Sequence, residues 1–339
     1  MRSTSRTIGA RGVSRLALIV AAAAVIATVV VAPAGAAPAP GYLTYRSQVH
    51  LLAERQGIVA PFGTDSPAVA SPDASGTLVY GGGPVQHNPK VYLIFWGSQW
   101  NHDNAGVIPY LTQFFQGTGS GDKWATTMDQ YCDHTTRGAS TCRSGSVPVS
   151  FNKAVYAGTW IDNAHSAPSN ASANDLAAEA AAGAKHFGNT TSSSNADTQY
   201  VVLSPHGTHP DGFPNADFCA WHSATGSPYG TLSFSNDPYM PDGSCGTNVI
   251  NSGPRGYLDG FSIVGGHEFA ESVTDPRPAS GWNGQKGEIG DVCSWIRSGS
   301  GAMRDITLST GSFAVQSLWS NADHGCVVGG GGAASGRAG

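Results

Sequence analysis

The densest chemistry in the chain lies in Gly265-Gly266-His267-Glu268-Phe269-Ala270-Glu271-Ser272-Val273-Thr274-Asp275-Pro276. On a helix, positions i and i+4 share a face, so His267 and Glu271 point the same way. An imidazole nitrogen and a carboxylate oxygen in that register can both bind one zinc ion at about 2 Å. Glu268 is turned about 100° around the helix from His267. In the metalloprotease H-E-x-x-H helix that position carries the general base for water. Here the second histidine is a glutamate, giving H-E-x-x-E, a harder and more anionic donor pair than two imidazoles. The same residues also fit an amphipathic helix carrying two solvated acids.

Two neighbours favour the metal. Leu258, Phe261, Ile263, Val264, Phe269, Ala270 and Val273 make the segment largely apolar, and acids on a buried helix need partners. Downstream, Gly287-Glu288-Ile289-Gly290-Asp291-Val292-Cys293 offers Glu288 or Asp291 as a third ligand. Asp275 is placed to serve as a carboxylate behind the ligands.

Elements must position these groups. An apolar run at 91–96, closed by Gly97, predicts a buried central strand. Val107, Ile108, Leu111, Phe114 and Phe115 recur at helical spacing. Strands are predicted at 147–151, 154–160 and 200–203. An Ala-rich helix is predicted at 172–187, with Ser172 or Asn174 as N-cap and Gly188 as its stop. A polar, loop-rich stretch covers 204–255. A helix at 257–273 carries the motif and is ended by Pro276, and short strands alternate with turns over 287–328. The fold class expected is α+β or a three-layer α/β sandwich: one secreted, disulfide-containing domain with a central sheet and a zincin-like active-site helix.

The chain has 339 residues with 18 basic and 23 acidic side chains, a net charge of −5. That balance does not suggest a nucleic-acid partner. Charged residues are 12% of the chain, about half the usual ~25%. Arg2, Arg6, Arg11 and Arg15 precede an apolar run at 16–31 and an Ala34-Gly35-Ala36 site, the pattern of a cleaved secretory signal. The run is shorter than the roughly 20 residues a span needs, so no stable membrane association is expected after cleavage. The organisation expected is a signal peptide at 1–36, a linker or pro-like arm at 37–80 with one short amphipathic helix within 42–59, a single globular domain at 81–328 and a flexible tail at 329–339. Six cysteines in an exported chain imply disulfides. Sequence order suggests Cys132–Cys142, Cys219–Cys245 and Cys293–Cys326.

Four blocks in order resemble the exordium, or phosphate-induced, protein family. They are Gly82-Gly83-Pro84-Val85 running through Asn88-Pro89-Lys90-Val91-Tyr92 to Trp96-Gly97; Phe218-Cys219-Ala220-Trp221-His222; the 267–276 helix; and the acidic 287–293 block. Together they cover most of 81–328. The resemblance implies a secreted bacterial relative of extracellular or wall-associated plant proteins. It also makes His222, in a shared block beside a cysteine, a better ligand candidate than His206 or His209. A hydrogen-bonded structural role for His222 stays open.

The expected site is thus Glu268 as base, with His267, Glu271, Asp291 and His222 as ligands. Asp275, Glu288, His206 and His209 stand behind them or on a substrate loop. The function expected is a secreted zinc-dependent hydrolase, a peptidase first, acting on a peptide or cell-wall substrate. One alternative is a non-catalytic extracellular protein of the exordium type. Another is a carbohydrate-binding protein using Trp96, Trp100, Trp160, Trp221, Trp282, Trp295 and Trp319. Calcium at the Asn236-Asp237 or Asp242-Gly243 turns is a further expectation.

Overall fold

Lys90–Trp96 (β3) is buried on both faces, as its unbroken apolar run requires of a central parallel strand. The computed structural model describes His50–Leu51 and residues 76–329. The expected signal peptide, most of the arm and most of the tail lie outside the described residues. Around β3 the sheet runs in the order His50–Leu51 (β1), Trp221–Ser227 (β8), Gly230–Asp237 (β9), Thr198–Leu203 (β7), β3 and Tyr156–Asp162 (β6). Its parallel part is Tyr156–Asp162 (β6), β3, Thr198–Leu203 (β7) and Gly230–Asp237 (β9). Trp221–Ser227 (β8) returns antiparallel on β9, and His50–Leu51 (β1) pairs antiparallel with β8. The result is a mixed α/β domain with a central mixed sheet and three disulfides.

The two faces of β3 and β7 feed two cores. Val91, Leu93, Phe95, Val201 and Leu203 join Val107–Gly117 (α1) and Gly253–Thr274 (α4). Ile94, Trp96, Tyr200 and Val202 meet Ala173–His186 (α2). Helix α2 starts at a capping box between Ser172 and Asp175. Its small side chains bring it close to the sheet: a Cβ on Gly183 would lie 2.2 Å from Ile94 Cδ1. Helix α1 is anchored by Asp103, whose carboxylate accepts from the Val107 and Ile108 amides at 2.9 and 2.8 Å. Helix α4 is buried all round from Asp259 to its end, unlike a surface helix with one apolar stripe.

The predicted elements at 91–96, 107–115, 172–187, 200–203 and 257–273 form at or close to those places. Three differences matter. Folding begins before Gly81: Leu78 is fully buried, and Val79–Tyr80 (β2) pairs with Trp282–Asn283 (β10). Within the expected arm, His50 and Leu51 are strand rather than helix, because β8 presents a free edge to them. The 204–255 stretch is not all loop; it contains the β8–β9 hairpin. Its inward positions include Ser223, Thr225, Ser233 and Ser235, all buried. No apolar alternation marks such strands. The C-terminal part forms two short antiparallel pairs, Arg304–Leu308 (β11) with Gly311–Val315 (β12), and Leu318–Ser320 (β13) with Gly325–Val327 (β14). The cysteines pair in sequence order, and among the described residues none is free.

Candidate metal centre

Helix α4 carries His267, Glu268 and Glu271 past the first residues of β8, while the 287–293 segment wraps over them. His267 Nε2 lies 2.9 Å from Glu271 Oε1, the one-turn contact that the i, i+4 spacing predicts. His222, the second residue of β8, brings Nε2 to 3.0 Å from Glu288 Oε2 and 3.5 Å from Glu271 Oε2. Asp291 Oδ1 stands 3.6 Å from His267 Nε2, and the Asp291 amide donates to Glu271 Oε1 at 3.1 Å. The donor atoms of His222, Glu271 and Glu288 lie within 4.8 Å of one another, and so do those of His267, Glu268 and Glu271.

Local sequence makes this approach possible. A Cβ at Gly290 would sit 2.6 Å from His267 Nδ1, so only glycine lets the loop lie on the imidazole. Gly287 has a φ of 102°, and a Cβ there would strike the Asp291 carboxylate. The Cys293–Cys326 bridge holds the end of the segment, and Cys219–Cys245 holds the approach to β8.

Burial sets the charges. His222, His267, Glu268, Glu271 and Glu288 are all fully buried, and only Asp291 reaches water, its side chain 17% exposed. Burial, with the nearby charge of His267, pushes the His222 imidazole down to about 3, so it is neutral. Burial and then the Asp291 carboxylate lift Glu271 to about 7. Burial, reinforced by Glu271, Asp275 and Asp291, raises Glu288 well above the carboxylate range. For His267 burial pulls down, but Glu271 and Asp291 outweigh it and hold the ring well above its ordinary value. Asp291 is also desolvated, yet its contact with His267 keeps it low. Without a cation, Glu288 therefore keeps its proton and Glu271 titrates near neutrality, while Asp291 stays ionised against His267.

The donor set suits a divalent cation. Glu271 Oε2 is buried and accepts no hydrogen bond, a costly state unless a proton or a metal compensates it. Two imidazoles with carboxylates form a zinc-type set, which manganese and iron also accept.

Several groups were hidden from sequence reasoning. Gln316 follows β12, and its Oε1 faces His267 Nδ1 at 3.2 Å while its Nε2 donates to the Gly290 carbonyl at 2.8 Å. That contact would hold a proton on Nδ1 and keep Nε2 turned to the cluster when the ring is neutral; nothing in the spacing of an isolated glutamine announces it. Asp237, considered with Asn236 as a calcium turn, is the buried last residue of β9, lifted to about 7 by burial and close enough to feel His267. Asn236 is likewise buried, and the Asp242 carboxylate meets the His206 ring. Asp275 lies behind the cluster: it shares a hydrogen bond with Glu288 and accepts from the Gly281 amide at 2.7 Å. Glu288 is itself against His222 and groups with His222 and Glu271 as a candidate donor.

His206 and His209 are not brought to the cluster. His206 lines a cleft of about 570 Å³ with Trp100, Asp103, Tyr239 and Tyr257. That cleft lies outside the carboxyl ends of β3, β7 and β9, where the strand order reverses and α/β sheets commonly bind ligands. His209 donates its amide to Ser169. Of the seven tryptophans named above for a carbohydrate groove, all but Trp160 are buried, so they form no exposed stacking row. Trp160 stacks on His186 with ring centroids 4.3 Å apart.

Comparisons with protein-family models, with curated proteins and with solved structures find no match for this chain.

Proposed function

We propose that this chain is an extracellular metalloprotein of the exordium type, whose centre holds divalent cations, zinc first, between α4, β8 and the 287–293 segment. The observation that carries this reading is the gathering of His222, His267, Glu288 and Asp291 around the buried Glu271 carboxylate, with histidine as the cluster's only ionic partner among the described residues. Export is supported by the signal pattern and the three disulfides. Among the described residues no helix is long and apolar enough to cross a membrane.

The test is metal analysis and thermal unfolding of the oxidised full chain, before and after chelation. Bound zinc, a Tm that falls on chelation and recovers with zinc, and loss of both in His267→Ala support the proposal. A chain that takes up no cation and unfolds identically with and without chelator refutes it.

A second reading, hydrolysis, is favoured by the place of Glu268 beside His267 and Glu271. A cation there would polarise a carbonyl and acidify water. Glu268 would accept the proton, and Glu271, His267 and His222 would orient the donor set. Peptide or cell-wall material would reach these groups only when the 287–293 segment moves off them. Glu268→Gln would keep the cation and lower turnover by about 10²–10⁴-fold. Glu271→Gln would lower cation occupancy first. If neither variant changes a hydrolytic activity that the parent shows, the base is elsewhere.

A further inference from the structure

Glu271 has two carboxylate oxygens, and they face different imidazoles. Oε1 is 2.9 Å from His267 Nε2, and Oε2 is 3.5 Å from His222 Nε2. On the first side Asp291 Oδ1 stands 3.6 Å from His267 Nε2, with the Glu268 carboxylate also within reach. On the second side Glu288 Oε2 stands 3.0 Å from His222 Nε2. The two imidazoles fall in separate donor groups, and Glu271 belongs to both. Four-coordinate zinc with bonds of ~2.0–2.1 Å needs donors about 3.3 Å apart. The donor separations of 2.9, 3.0, 3.5 and 3.6 Å bracket that edge on each side.

Charge leads to the same place. Glu268, Glu271, Glu288 and Asp291 carry four negative charges when ionised, and both imidazoles are neutral when they bind metal. One divalent cation leaves a net charge of −2 in a sealed interior, which is costly. Two cations balance it. A single four-coordinate ion would also leave at least two of the six donor residues without a role.

We infer that the centre is dinuclear, with Glu271 bridging two divalent cations. One is held by His222 and Glu288, the other by His267 and Asp291, with Glu268 beside the second. This rests on the metal-centre reading above and goes beyond it. Three protein donors per cation leave open positions on each, as catalytic sites do and closed structural sites do not.

The test is equilibrium dialysis of the oxidised full chain against zinc with metal quantification, paired with electron paramagnetic resonance of the manganese-loaded protein. The expected result is two zinc ions per chain and an exchange-coupled manganese pair. His222→Asn and His267→Asn should each lower the stoichiometry from two to one and replace the coupled signal with that of an isolated ion. One zinc per chain with an uncoupled signal in the parent overturns the dinuclear inference while leaving the single-cation reading intact. No uptake overturns both. The parent's stoichiometry and spectrum decide the matter even if a variant fails to fold.

Discussion

Two histidine–carboxylate pairs in this molecule have similar chemistry and opposite surroundings. His206 meets Asp242 at the mouth of the cleft, and its side chain is 75% exposed. His222 meets Glu288 with both side chains fully buried. Water and salt screen the first pair, so such contacts contribute only about 0–1 kcal/mol. At the second, burial drives His222 down to about 3 and Glu288 upward. There an ion is tolerable only if something balances it. The contrast shows that pairing alone does not call for a balancing cation; exclusion of water together with a surplus of carboxylates is what makes the buried cluster the candidate.

The largest effect expected is at the buried cluster. Breaking a buried ionic group by removing one partner costs about 3–5 kcal/mol, and His267→Ala should approach that in urea unfolding of the zinc-loaded chain. A loss as small as that of His206→Ala would erase the contrast. Gly290→Ala comes next, because its Cβ would sit 2.6 Å from His267 Nδ1. Crowding of this kind costs about 1–3 kcal/mol, and the displaced ring should weaken cation uptake in the same titration.

A pH series sharpens the comparison further. In the metal-free protein Glu271, Asp237 and Asp275 are each lifted to about 7, above the ~4 of an unfolded chain. The folded state then binds more protons between roughly pH 4 and 7, so stability falls as pH rises through that window. His267, held high, acts in the same direction. His222, pushed to about 3, acts in the opposite one, since the unfolded chain protonates it below its ordinary value. Three carboxyl groups and His267 outweigh one imidazole. Tm of the metal-free protein should therefore fall from about pH 5 to 7.5, while the gain in Tm on adding zinc grows as fewer protons must be displaced. A zinc-induced gain that is flat or largest at pH 5 contradicts this. The smallest effect belongs to the open pair: His206→Ala should shift stability by no more than about 0.5 kcal/mol and leave zinc uptake unchanged.

What the sequence showed of the site depended on local rules. The i, i+4 spacing of His267 and Glu271 survives into three dimensions because one helical turn is a fixed distance. The two glycines of Gly287-Glu288-Ile289-Gly290-Asp291 accompany a tight approach that their missing side chains permit. Non-local groups were harder to read. His222 stood out only through the block around it, since its pairing with Glu288 depends on the β8–β9 hairpin. That hairpin was obscured by buried serines and threonines that read as loop. Asp237 has the look of a turn residue in sequence, and only the end of β9 carries it inward. His206 and His209 follow a strand as loop histidines do, and the cleft claims the first of them.

The most direct test of the central claim is anomalous diffraction at the zinc edge on crystals of the oxidised, zinc-loaded chain. The account predicts strong anomalous density among His222, His267, Glu271, Glu288 and Asp291, on both sides of the Glu271 carboxylate, and none at His206 and Asp242. Density confined to the protein surface, with the buried carboxyl groups free of metal, would contradict it.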